Sequence, residues 1–168
     1  PFESRDRYAL FVMAQHQFHR DVDVLYRNSV LGQLLPDLAG RRRLGLIEQD
    51  LTDLGSVPAI LSVAEFRSDD DIDVPTALGW LYVAEGSNLG AAFLLKEAAK
   101  LGLSETFGTR HLAAAPEGRG LHWKIFTAAL DGLELTEPEE NRVIDGVRAA
   151  FARVQGLVKE LLVPQTAN

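Results

Sequence analysis

Gly79-Trp80-Leu81-Tyr82-Val83-Ala84-Glu85-Gly86-Ser87-Asn88-Leu89-Gly90-Ala91-Ala92-Phe93-Leu94-Leu95-Lys96 has the length and apolar content of a buried helix, yet glycine interrupts it three times. Each glycine in a helix interior costs about 1 kcal/mol relative to alanine, so something must offset the loss. Gly86 and Gly90 are four apart, share a face and leave a strip of bare backbone, while Glu85, Ser87 and Asn88 carry polarity across the same segment. Two uses fit such a strip: close contact with a neighbouring helix through small residues, or close approach of a flat ligand.

Outward from this stretch, Pro75 opens the helix, which is predicted to run to about Lys100 before Gly102 ends it. On the amino-terminal side, Tyr8, Phe11, Gln15, Phe18, Val22 and Leu25 recur at spacings of three and four and predict a helix from about Ser4 to Asn28. Gln15 is the polar member of that stripe and His19 follows it by one turn; either the two flank the stripe in water or they share a buried polar partner. Leu31 to Asp37 reads as a turn. Leu44, Ile47, Leu51 and Leu54 predict a helix over Arg41 to Leu54, stopped by Gly55. Its opening triplet Arg41-Arg42-Arg43 stands where the helix dipole prefers acids, so it either holds an anion or polar network or is simply solvated. Ser56 to Asp73, with Pro58 and the acidic patch Asp69, Asp70 and Asp71, reads as an exposed loop.

Toward the carboxyl end, Ser104 to Gly120 reads as a loop with a short turn at Arg110, His111 and Leu112. Trp123, Phe126 and Leu130 mark a further helix. Thr136-Glu137-Pro138-Glu139 has capping-box spacing and starts the last one, in which Val143, Val147, Ala150, Val154, Leu157 and Leu161 keep an apolar stripe to Pro164. Strand-type alternation is missing. The expected fold is all-α, one compact domain over residues 1–168 with five to six helices.

Composition narrows the function. A net charge of −7 gives no support to a nucleic-acid or anionic-membrane role, and no apolar run is long enough to span a bilayer. With no cysteine, disulfides, thiolate metal sites and a cysteine nucleophile are excluded, which suits a reducing cytoplasm. None of His16, His19, His111 and His122 follows a glutamate by three, so the ExxH pair of di-iron bundles is missing, as are HExxH, a P-loop and a dinucleotide fingerprint. Glu85-Gly86-Ser87 is not a GxSxG nucleophile turn.

Residues 80–96, with Phe107-Gly108-Thr109-Arg110-His111-Leu112-Ala113 and Pro116-Glu117-Gly118-Arg119-Gly120-Leu121-His122-Trp123, resemble the bacterial haem oxygenases of the iron-acquisition type, and the similarity runs from Phe2 to about Leu162. The resemblance implies cleavage of haem by dioxygen and electrons to biliverdin, carbon monoxide and ferrous iron, with haem as both substrate and cofactor, held between a proximal helix and a kinked distal helix. The central helix matches the distal one: Gly86 and Gly90 would lay backbone over the haem face, Ser87 would lie beside the open coordination position, and Tyr82 would help hold a propionate. Gln15, His19 and Arg43 match positions that order a distal water network and deliver protons; His19 is not an iron ligand in this reading and none of the three is a covalent catalyst. The family's proximal histidine has no counterpart here, which leads to the expectation that a helix preceding Pro1 supplies it. Glu97 stands where some relatives carry a basic residue, so ordinary α-meso cleavage is the expectation. A ferredoxin or ferredoxin reductase is expected as electron donor, and a cytoplasmic monomer as the working form. The alternatives are a haem carrier or sensor that keeps the fold without the oxygenation, and a helical scaffold with no ligand.

Overall fold

Ser4 caps the first helix, its hydroxyl accepting the Arg7 amide at 3.1 Å, and α1 runs Arg5–Tyr26. The computed structural model describes residues 1–69 and 71–163, so Asp70 of the acidic patch and Pro164 fall outside the described residues. Asn28 caps a short α2, Ser29–Leu34, through the Leu31 amide at 2.9 Å; this corrects the expected turn, because the cap and the fully buried Leu31 side chain hold one helical turn and a half in place. A 3₁₀ turn, Ala39–Arg41, precedes α3, Leu44–Asp53, which begins later than predicted because Arg41 is drawn inward before the helix starts. Gly55, at φ 71°, ends it in the left-handed conformation that the sequence suggests.

The central helix is not continuous. Asp73 caps α4, Val74–Gly86, with Pro75 in its first turn; a 3₁₀ turn covers Ser87–Gly90, and α5 resumes over Ala91–Ala99. After a 3₁₀ turn at Arg110–Leu112 come α6, Arg119–Asp131, and α7, Glu137–Leu162, started by the expected Thr136/Glu139 capping box. The described residues thus hold seven α-helices rather than five to six, since α2 forms and the central helix splits in two. The fold is all-α. No helix among the described residues is long and apolar enough to cross a membrane.

Gly79 explains itself through packing. A methyl group placed on it would lie 2.6 Å from the Val147 amide nitrogen and 2.9 Å from the Gly146 carbonyl carbon, and one on Gly146 would lie 3.3 Å from the Gly79 Cα. The backbones of α4 and α7 therefore touch through reciprocal glycines. Arg142 pairs with Asp73 at the start of both helices, and Val83 shares a groove with Phe151 and Val154 further on, so the two run in the same sense. With α1 they enclose the main core of Phe18, Val22, Leu25, Leu78, Leu81 and Ala150. A smaller core of Tyr8, Val12, Ile47, Leu51, Ala98 and Leu103 joins the first half of α1 to α3 and the end of α5.

The described residues of the segment 56–73 carry no regular element, yet they are anchored. Gln17 is fully buried and its amide oxygen accepts the Leu61 and Ser62 amides at 3.2 and 3.3 Å. Asp21, equally buried, accepts the Glu65 amide at 3.1 Å and the Arg153 guanidinium at 2.7 Å. Val57 and Ile60 stay exposed, whereas Leu61, Phe66 and Ile72 pack on the main core. Replacing Arg153 by alanine strands much of the Asp21 charge, and a loss of about 2 kcal/mol is expected. Urea unfolding measures it, and limited proteolysis should show earlier cleavage within residues 57–67.

Candidate functional site

Two adjoining hollows meet at the break in the central helix. The larger is an apolar groove of about 370 Å3 between α1, α4, α6 and α7, walled by Phe18, Val83, Trp123, Phe151 and Val154, with the backbone of Gly86 and Ser87 at its edge. That size falls within the range of small-molecule sites. The Tyr82 ring lies 5.2 Å from that of Trp123, which stacks on Phe126 at 5.9 Å, so one side of the groove is an aromatic shelf. The smaller hollow, about 40 Å3, is lined by Gln15, His19, Arg43, Ser87, Asn88 and His111 among others. It has room for water and the polar partners that ordered water needs. Gln15 and Ser87 line both.

The break has local causes. The Ser87 hydroxyl donates back to the Ala84 carbonyl at 2.7 Å, a bond that bends helices. Below it, the buried Glu85 carboxylate accepts Asn88 Nδ2 at 2.9 Å and meets Arg41 Nη1 at 3.4 Å. Arg41 also donates to the His122 carbonyl at 2.9 Å and lies over the Phe126 ring. The arginine triplet is therefore part of a polar network, with Arg41 buried and the Arg42 side chain still 42% exposed. Arg42 pairs with Asp23 at 2.9 Å, and Arg43 donates to the His111 carbonyl at 2.6 Å.

Tyr82, Gly86 and Ser87 stand together at the groove, and Gln15, His19 and Arg43 together at the polar hollow. Gly90 stands apart: it lines neither hollow, and a methyl group there would meet nothing within 4 Å. On Gly86 the same methyl would touch the Trp123 indole at 3.4 Å. Gln15 makes no hydrogen bond with another described side chain, which leaves its amide free to face the hollows; the fully buried amide of α1 is Gln17 instead. The aromatic walls and the pairing of Asp50 with His111 escape a sequence reading, because their partners come from distant helices.

Burial pushes the His19 imidazole down to about 3, helped by Arg43, His111 and His16. It is therefore neutral at physiological pH. In the unfolded chain a histidine takes up a proton near pH 6.5, so the unfolded state binds the extra proton first as pH falls. The stability that His19 contributes is complete above pH 6.5 and is lost below it at about 1.4 kcal/mol per unit until the folded value is reached. Between pH 6.5 and 5 this amounts to about 2 kcal/mol. Urea titrations of wild type and His19→Gln should show the variant's stability falling less steeply over that interval.

Residues 5–160 match the family model described as Heme oxygenase. Heme oxygenase PigA of Pseudomonas aeruginosa is 50% identical over 159 residues, which is 95% of this chain and 79% of that protein. The chain belongs to the haem oxygenase family. It also superposes on a crystal structure of the NO- and CO-bound haem oxygenase of Neisseria meningitidis with a TM-score of 0.88, at 39% identity and covering 100% of this chain and 82% of that one. The all-helical haem oxygenase fold and an enzyme that degrades haem follow from this membership. The residues present suit haem: apolar and aromatic walls for the macrocycle, a glycine backbone at the edge where a side chain would intrude, and a water-sized polar hollow alongside. None of the four histidines lines the groove.

Proposed function

We propose that this member of the haem oxygenase family seats haem in the apolar groove and converts it, with dioxygen and electrons, to biliverdin, carbon monoxide and ferrous iron, serving iron acquisition in the cytoplasm. The observation that carries the reading is that Gln15 and Ser87 line both the groove and the polar hollow, so a polar, water-sized space lies directly beside the apolar one. Haem, when bound, binds dioxygen and is itself the molecule oxidised. Around it, Phe18, Trp123, Phe151 and Val154 exclude bulk water, and the Gly86 and Ser87 backbone lets a flat face approach. Tyr82, 37% exposed and lining the groove, would hold a propionate through its phenol and so set the rotation of the ring that selects the α-meso carbon. Gln15 and Arg43 hydrogen-bond water in the hollow, and neutral His19 accepts or donates within that water chain without ever carrying the stored proton. A ferredoxin or ferredoxin reductase supplies electrons to a monomer.

The test is a haem titration of the full-length protein, with any residues encoded before Pro1 included. A one-to-one complex with a Soret band, converted to biliverdin by reduced ferredoxin or ascorbate, is expected. A haem complex that stays inert under those conditions indicates a carrier or sensor instead, and failure to bind haem indicates a scaffold. His19→Ala should bind haem normally and turn it over several-fold more slowly.

A further inference from the structure

Although the chain carries a net charge of −7, one of its faces is basic. A hollow of about 480 Å3, open to solvent, lies between α1 and the irregular strap, and Arg20, Arg27 and Arg67 line it. Arg20 and Arg67 make no ion pair with a described residue, and the Arg20 guanidinium donates only to the Gln17 amide oxygen, at 3.4 Å. Arg27 and Arg42 share one carboxylate, that of Asp23, at 3.1 and 2.9 Å. Four guanidinium groups thus have a single carboxylate among them. The other acids close by in the chain, Asp21, Glu65 and Asp69, do not line the hollow, and Asp21 is taken up by Arg153.

The centre of this face is apolar. Ile60 and Val63 line the hollow at 73% and 62% exposed, and Val57, three residues earlier, is 81% exposed. The fold does not use them, since Leu61, Phe66 and Ile72 are the strap residues that pack on the main core. An apolar centre rimmed by unpaired guanidinium groups complements a protein surface that carries carboxylates around its own apolar spot. The aliphatic side chains have nothing to offer a small anion or a phosphate backbone. At physiological salt charges act over about 8 Å, so a partner meets this patch and not the net charge of the chain.

The hollow also has a packed connection to the haem groove. Phe66 lines it, and the Phe66 ring meets Trp80 edge-on at 5.3 Å. Trp80 stacks on Phe18 at 6.0 Å, and Phe18 walls the groove. Three rings in contact therefore span the protein between the two spaces, without a water-filled gap that would weaken electron tunnelling.

We propose that this basic face docks the electron donor, a one-electron carrier protein with an acidic docking surface. In the transfer step the donor's reduced iron–sulfur centre gives up one electron and the haem in the groove gains it. No bond forms or breaks, no proton moves, and Phe66, Trp80 and Phe18 are neither oxidised nor reduced. The inference rests on the haem oxygenase reading for the donor's task; the basic rim and apolar centre stand without it.

The probe is a [2Fe–2S] ferredoxin of net negative charge, used with the full-length protein. Titrated into the haem-free form at low salt, it should shift the amide NMR signals of residues 57–67 and of α1 around Arg20 and Arg27. Ile60→Glu combined with Arg67→Glu alters two exposed side chains that do not line the groove, and it should raise the ferredoxin Kd at least ten-fold. Arg148→Glu, at an exposed site outside the hollow, reverses a charge as Arg67→Glu does and should leave Kd within about two-fold. In the haem-loaded form the double variant should raise the KM for ferredoxin at least ten-fold, while biliverdin formation driven by ascorbate, which needs no docking face, stays as in wild type. Unchanged Kd and KM in the double variant, shifts confined to other surfaces, or an equal loss in Arg148→Glu overturn the proposal, as does a ferredoxin that fails to bind wild type. If wild type takes up haem and ascorbate yields no biliverdin, the oxygenase reading fails, and the haem-free titration alone decides whether this face binds an acidic carrier.

Discussion

Gly79→Ala is expected to lower the stability of the fold by about 2 to 3 kcal/mol, although alanine is the better helix former by about 1 kcal/mol. The added methyl group would come within 2.6 Å of the Val147 amide nitrogen and closer still to the Val143 carbonyl oxygen, and both are helix backbone that cannot step aside. Relief requires α4 and α7 to separate, which loosens the main core along its length. Gly146→Ala pushes the same two helices apart from the other side, through the Thr76 carbonyl. The two substitutions should therefore be strongly non-additive in a double-mutant cycle read by urea denaturation, the second costing far less than the first. Gly156→Ala is the control. It lies on the same α7, a methyl there meets nothing within 4 Å, and it should gain up to about 1 kcal/mol. A Gly79→Ala protein as stable as wild type would mean the two backbones do not touch.

The second large effect is expected at Arg41→Met, a loss of about 3 to 5 kcal/mol. Methionine fills much of the space but leaves Glu85, 1% exposed, with Asn88 as its remaining side-chain partner and no countercharge in contact. The His122 carbonyl loses its donor as well. Burial already raises the Glu85 carboxyl above its ordinary value, with Arg41 the strongest force opposing that rise. A carboxyl raised on folding binds its proton more tightly in the folded chain, so stability falls as pH climbs from the unfolded value, near 4.3, through the folded one. Removing Arg41 widens that window. The variant should accordingly recover part of its loss on acidification, and adding Glu85→Met should recover part of it at neutral pH. Equal deficits at pH 5 and pH 8, measured by urea unfolding, would show that the charge of Glu85 is not what is stranded.

Local signals were legible along the chain because the residues that make them are neighbours. The Thr136/Glu139 box, Pro75 at the opening of the central helix, and Gly55 and Gly102 at positive φ all appear where their residue types predict. The glycines of the central segment were legible as a puzzle, and they divide between its two answers. Gly79 serves a helix contact, while Gly86 borders the groove. What could not be read were buried charges whose partners lie far along the chain. Asp21 meets Arg153 across 132 residues and Asp50 meets His111 across 61. A single aspartate on an amphipathic stripe looks the same whether it faces water or a guanidinium. The arginine triplet shows the same ambiguity, since only the tertiary fold sends its three side chains to Glu85, Asp23 and the His111 carbonyl.

Gln15 and His19 sit on one side of α1, and Gln17 and Asp21, two residues further along in each case, sit on the opposite side. The irregular strap at 61–65 and Arg153 grip that opposite side. A helix turns by about 100° per residue, so a slip of one position would swing His19 out of the polar hollow altogether. The angular setting of α1 is thus locked from its back, and the chain segment with the least regular backbone is what keeps the polar side chains of this helix aimed forward.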